Sequence, residues 1–125
     1  MKIGIFGAQQ WDKSFFPSKL KSDKLSITDK PLDEDTVSDF KDIEIASVFV
    51  GSKVSAKVIS KLPKLKFIAT RSTGFDHIDL KAAAKKRVKV ANVPFYGENT
   101  VAEHAFSLLL NLSRNIHKSY MKTLN

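Results

Sequence analysis

Two stretches of this chain hold residues whose types and spacing can do chemistry. The first is Thr70-Arg71-Ser72-Thr73-Gly74-Phe75-Asp76-His77-Ile78-Asp79. A glycine beside hydroxyl residues permits positive φ and a close backbone approach, and successive backbone N–H groups in such a turn can hold a carboxylate. Asp79 stands where it can cap a following helix. The same residues also read as a turn and a cap and nothing more. The second stretch is Asn92-Val93-Pro94-Phe95-Tyr96-Gly97-Glu98-Asn99-Thr100-Val101-Ala102-Glu103-His104. Pro94 ends an extended run, and Gly97 and Asn99 shape a loop. Tyr96 lies between them, either with its phenol in a cleft or as a packing ring with a satisfied hydroxyl.

The elements that must position these stretches alternate. Lys2–Phe6, Leu25–Thr28, Ala46–Val50, Lys66–Thr70 and Val88–Val93 read as strands. Between them, Ser55–Leu62 and Asp79–Lys86 have helical spacing, and Asp35–Ser38 can open a short helix. Residues 10–20 read as a loop or a poor helix broken by Pro17. Five strands with intervening helices imply α/β architecture, a parallel sheet covered on both faces. The right-handed crossover rule favours the flavodoxin-like order 2-1-3-4-5. The carboxyl end of such a sheet is where ligands bind, and both stretches above leave strands at that end.

The last element is a long helix. Thr100-Val101-Ala102-Glu103 has the pattern of a capping box, and the helix is expected to run from there to about Tyr120. Val101, Ala102, Ala105, Phe106, Leu108, Leu109, Leu110, Leu112 and Ile116 cover nearly its whole circumference. A helix apolar all round expects burial all round, and one small sheet covers only one face. The other face expects a partner beyond residue 125.

Taken together, Arg-Ser-Thr-Gly-Phe-Asp-His-Ile-Asp followed by Asn-Val-Pro-Phe-Tyr-Gly-Glu-Asn-Thr-Val-Ala-Glu-His closely resembles the D-isomer-specific 2-hydroxyacid dehydrogenases, D-lactate dehydrogenases above all. The resemblance runs through the whole chain and is strongest from Leu65 to His104. It implies that residues 1–98 form a flavodoxin-like substrate domain. Residues 99–125 would then form an interdomain and dimerisation helix entering a dinucleotide-binding domain. It implies substrate contacts from Ser72, Thr73, Gly74 and Tyr96, with backbone groups of Thr73 and Gly74 on the carboxylate. It places Tyr96 and Val101 beside the cofactor, NAD, with Val101 against the nicotinamide. The reaction implied is reversible hydride transfer between NADH and a small 2-keto acid, in a homodimer. Two positions depart from the pattern. Gly51 stands about where an aromatic residue often packs on the substrate, and Gly97 replaces a frequent serine.

What is absent bounds the reading. The five glycines, Gly4, Gly7, Gly51, Gly74 and Gly97, cannot be written as G-x-G-x-x-G. In the family that fingerprint and the catalytic Arg, Glu and His all come later than residue 125. His77, His104 and His117 are therefore expected to be structural. The chain by itself is expected to be inactive, a fragment of an NAD-dependent oxidoreductase acting on CH–OH. The alternative is a stand-alone, non-enzymatic flavodoxin-like binding module.

There is no cysteine, which excludes disulfides and thiol nucleophiles, and no metal-ligand spacing stands out. No run approaches the roughly 18 apolar residues of a membrane span, and the start reads as a strand rather than a leader, so a cytoplasmic protein is expected. The net charge of +8 lies wholly in residues 61–125. Its lysines are strung along helices without interleaved aromatics, which speaks against a nucleic-acid surface.

Overall fold

The computed structural model describes residues 1–124. Five strands, β1 (Lys2–Ile5), β2 (Lys24–Ile27), β3 (Ile45–Val48), β4 (Phe67–Thr70) and β5 (Lys89–Ala91), alternate with helices α1 (Asp12–Lys19), α2 (Ala56–Ser60) and α3 (Leu80–Lys85). All pairings are parallel, and the order is β2-β1-β3-β4-β5, as the crossover rule requires. The chain divides into two compact units, Met1–Pro94 and a second that starts at Phe95. The second holds α4 (Glu98–Ser113) and α5 (Ile116–Leu124).

The period of two along each strand sorts side chains between the faces of the sheet. Ile3 and Ile5 of β1 point to one side and join Ala8, Phe16, Leu20, Leu25, Ile27 and Ile45. Phe6, Ala46, Val48 and Ile68 belong to the other side, with Val54, Val58, Ile59, Leu62, Ile78, Ala83 and Val88. This larger face is covered by α2 and α3. Gly4 has no side chain for a packing reason: a Cβ there would lie 2.7 Å from the ring of Phe6. The Phe6 ring in turn meets Phe40 edge-on at 4.8 Å.

Local capping fixes the helix starts. Ser55 accepts from the backbone N–H of Val58 at 3.4 Å, and Asp79 accepts from that of Ala82 at 2.9 Å. The short helix expected from Asp35 is a 3-10 turn over Val37–Phe40. Its organiser is Asp33, whose Oδ1 accepts from the backbone N–H groups of Asp35 and Thr36 and from the Thr36 hydroxyl.

Three local expectations are corrected. Residues 12–19 form a helix despite Pro17. The proline removes one internal hydrogen bond, but Phe16 and Leu20 pack on the smaller core face and hold the turn in place. The long terminal helix is two helices, with a break at Arg114 and Asn115. Asn115 adopts φ 51°, a left-handed conformation that asparagine tolerates at helix ends. The side chain of Asn111 accepts from the backbone N–H of His117 at 3.2 Å and so caps α5. Finally, the capping box does not form. α4 starts two residues before Thr100, with Gly97 as N-cap and no side-chain cap bond.

Among the described residues every buried one lies at or before Val88, so the core belongs to the first unit. No residue of α4 or α5 is buried, and Phe106, Leu108, Leu109, Leu110 and Leu112 are exposed. Residues 1–94 alone are therefore expected to unfold cooperatively, with a thermal midpoint close to that of the full chain. In light scattering the shorter protein should run as a monomer while the full chain self-associates, because exposed apolar side chains of this number favour burial by ~1.5–3 kcal/mol each. A monomeric full chain would show that α4 needs no cover.

Candidate functional site

The turn after β4 is held by its carbonyls. The Ser72 carbonyl accepts from the backbone N–H of Val93 at 3.1 Å. The Thr73 carbonyl accepts from the Asn92 side-chain amide at 2.8 Å, and the Gly74 carbonyl accepts from the Ser72 hydroxyl at 2.7 Å. The backbone N–H groups of Thr73, Gly74 and Phe75 have no partner among the described residues. A turn whose acceptors are satisfied and whose donors are free is suited to an anion. Unpaired donors of this kind need solvent or a ligand, and Thr73, Gly74 and Phe75 are exposed.

Beneath the turn lie two buried hydroxyls. Thr70 is 2% exposed and Ser72 6%. Their oxygens are 2.6 Å apart, and Thr70 Oγ1 is 3.1 Å from His77 Nε2. Burial lowers the His77 imidazole below its ordinary value of 6.5, with the Asp76 carboxylate partly opposing the shift.

Arg71 anchors the same segment to the rest of the sheet. Its guanidinium donates to the Ser47 carbonyl and hydroxyl at 3.3 and 3.0 Å. It also donates to the carbonyls of Phe6 and Gly7 at 2.9 and 3.2 Å. It lies 3.9 Å from the carboxylate of Asp12, which is 1% exposed. Asp12 Oδ2 accepts from the backbone N–H of Gln9 at 2.8 Å, and its Oδ1 has no hydrogen-bond partner. The rings of Phe16 and Phe49 lie 5.8 and 5.7 Å from the guanidinium carbon. Burial pulls the Arg71 pKa down and Asp12 raises it in part.

Of the residues expected at a site, Ser72, Thr73 and Gly74 share this turn. Tyr96 and Val101 belong to the second unit, where they are 76% and 71% exposed. Just before them Phe95 takes φ 54°, an uncommon backbone state for a bulky residue. Gly74 uses neither the positive φ nor the close backbone approach that a glycine permits. Gly7 is the glycine with positive φ. A Cβ on Gly74 would find only a carboxylate oxygen of Asp76, at 3.9 Å, because the turn is set by its hydrogen-bonded carbonyls rather than by crowding. Gly51 has no atom within 4 Å of where its Cβ would be. Sequence reasoning missed Arg71, Asp12, Thr70 and Asn92. Among the described residues no cluster of His, Cys, Asp or Glu forms a metal-binding group, and no helix is long and apolar enough to cross a membrane.

A parallel sheet in this order, with helices on both faces, defines the flavodoxin-like fold. The catalytic-domain model of the D-isomer specific 2-hydroxyacid dehydrogenases matches residues 8–123, and the chain belongs to that family. It is 37% identical over 128 aligned positions to a 2-hydroxyacid dehydrogenase homolog of Haemophilus influenzae, covering 98% of this chain and 38% of the relative. It is 35% identical over 127 positions to the D-lactate dehydrogenase of Escherichia coli, covering 98% and 39%. Among solved structures, the D-lactate dehydrogenase of Aquifex aeolicus complexed with NAD and lactic acid matches with a TM-score of 0.86 at 36% identity, covering 98% of this chain and 38% of that one. The chain thus spans well under half the length of the relatives it matches.

Two outcomes test the site as described. Arg71→Met should destabilise the chain by ~2–3 kcal/mol in a urea melt, because it leaves Asp12 in the core without a counter-charge and the carbonyls of Phe6 and Gly7 without their donor. An unchanged midpoint would show that the clamp contributes nothing. The lowered value of His77 sets a pH dependence. Above pH 6.5 the ring is neutral in both states and has no effect. As pH falls below that value the unfolded chain takes up the proton first, so stability declines until the folded value is passed. Asp33, Asp42 and Glu44 are held below their ordinary 3.8, 3.8 and 4.5, so they act at lower pH. His77→Gln should remove the decline just below pH 6.5, as read from urea midpoints; an identical slope in the variant would assign it elsewhere.

Proposed function

We propose that this chain is the substrate-binding part of an NAD-dependent D-2-hydroxyacid dehydrogenase of the D-lactate type, and that it works with a dinucleotide-binding domain. The observation that carries this reading is the turn at Thr73 and Gly74. Its carbonyls are all engaged and its N–H groups free, at the sheet edge where ligands of this fold bind. A small 2-keto acid such as pyruvate offers a carboxylate to those donors, which fixes the adjoining carbonyl carbon for hydride delivery. Reduction adds a hydride to that carbon and a proton to its oxygen.

The nicotinamide supplies the hydride, and residues of this chain bind and orient. In this reading residues 1–98 are the substrate domain and residues 99–125 begin the connection to the cofactor's domain. Tyr96 closes over the substrate and Val101 packs on the nicotinamide ring. The exposed leucines of α4 support a role as contact surface for the dinucleotide domain and a second subunit. The glycines form no dinucleotide fingerprint, and Gly4 is taken up by packing against Phe6, so the phosphates are held elsewhere. Membership of the family favours this reading over a stand-alone binding module. Gly51 lines an open cavity of about 220 Å³ with Gly7, Gln9, Asp29, Pro31, Phe49 and Ser52.

The test is a hybrid in which residues 1–125 replace the matching part of the Aquifex aeolicus enzyme. It should oxidise NADH with pyruvate, whereas the 125-residue chain alone should not. Thr73→Pro in the hybrid removes one donor to a carboxylate and should lower kcat/KM by about ten- to a hundredfold. A folded hybrid that binds NADH yet reduces no 2-keto acid would refute the proposal.

A further inference from the structure

We propose that His77, Thr70 and Ser72 form a relay of fixed polarity that positions the Gly74–Phe75 peptide, so that the Phe75 N–H becomes a third donor of the anion-holding turn. The proposal rests on the reading of that turn as a carboxylate site. Its direction follows from proton counting. The Gly74 carbonyl can only accept, so the Ser72 hydroxyl donates to it at 2.7 Å. A serine has one hydroxyl proton, so in the 2.6 Å contact with Thr70 the serine oxygen accepts and the Thr70 hydroxyl donates. The threonine proton is then used. In the 3.1 Å contact between Thr70 Oγ1 and His77 Nε2 the ring nitrogen must donate. All three contacts are satisfied only when Nε2 carries a proton, so neutral His77 has its free acceptor at Nδ1.

Both hydroxyls are buried, and the dipoles of the chain all point toward the Gly74 carbonyl. Hydrogen bonds aligned in this way strengthen one another. The consequence reaches the other end of the peptide. The peptide bonds of the described residues are trans, and in a planar trans peptide the N–H points opposite to the C=O. Drawing the Gly74 carbonyl inward onto Ser72 turns the Phe75 N–H away from Ser72 and toward the exposed side of the turn. In the same way Asn92, holding the Thr73 carbonyl, aims the Gly74 N–H, and Val93, holding the Ser72 carbonyl, aims the Thr73 N–H. The relay governs one donor of the three. His77, Thr70 and Ser72 are thus positioning residues that do not themselves touch the anion.

The test uses the full 125-residue chain, labelled with ¹⁵N and titrated with oxamate, a carboxylate that mimics a 2-keto acid. Backbone N–H shifts of Thr73, Gly74 and Phe75 report binding. Thr70→Val keeps the shape and strand preference of the threonine and removes the hydroxyl. It should weaken oxamate binding about tenfold, as expected for the loss of one oriented donor, and abolish the Phe75 response while those of Thr73 and Gly74 persist. Thr70→Ser, which restores the hydroxyl, should return binding to within about twofold of the original. Equal binding by the valine variant, with the Phe75 response intact, would overturn the relay and leave the carboxylate site standing. Oxamate that moves none of the three N–H groups in the unaltered chain would refute the site and this proposal with it. The ring ¹⁵N shifts of His77 in the ligand-free chain decide the polarity independently: a neutral ring protonated at Nδ1 overturns the relay whatever oxamate does.

Discussion

Four hydrogen bonds from one guanidinium hold together the carboxyl ends of three adjacent strands. Arg71 follows β4, crosses β3 at Ser47 and ends on the carbonyls of Phe6 and Gly7 after β1. A planar fork of five donors reaches this many acceptors at once, which a lysine could not. The carboxyl edge of a parallel sheet is otherwise where backbone pairing runs out. Asp12, buried at the start of α1, balances the charge that the clamp brings inward. The next residue after the clamp is Ser72, so the turn that follows starts from a fixed point.

That fixed point explains how an exposed turn without crowding keeps one conformation. Gly74 has an ordinary φ and no tight neighbour. Three acceptors are instead drawn away from solvent, by Val93, Asn92 and Ser72. In planar peptides this presents the N–H groups outward. The turn presents these donors without a basic side chain of its own. Arg71 is the nearest cation in sequence, and its donors are already committed to Ser47, Phe6 and Gly7.

The two units differ in how their stability is obtained. In the first, both faces of the sheet carry a core, and the helices are short and individually weak. α2 has five residues and α3 six, below the length at which an isolated helix persists. They exist because Val58, Ile59 and Ala83 are buried against the sheet. The second unit has the longer helix and no buried residue. Its Leu108, Leu109, Leu110 and Leu112 are exposed.

Strand order, parallel pairing and the cap at Asp79 were legible in the residues, because alternation, crossover handedness and N-capping follow from residue pattern and chain direction. The segment from Ser72 to Gly74 was also legible as a turn, through its glycine among hydroxyl residues. The sequence did not determine how that turn is held. Arg71 and its acceptors at Phe6 and Ser47 are 65 and 24 residues apart, and Asn92 reaches Thr73 across 19, so only the assembled sheet brings them together. The same holds for α1, where packing of Phe16 and Leu20 overrides Pro17. It holds also for the start of α4 at Gly97 and the break at Asn115. There the local pattern of Thr100 to Glu103 and the apolar run from Val101 to Ile116 pointed to one capped helix. The backbone instead starts α4 after Gly97 and takes the left-handed turn that Asn115 tolerates. Local pattern fixes which elements form and which faces are apolar, whereas hydrogen bonds between distant segments decide where donors and acceptors finally point.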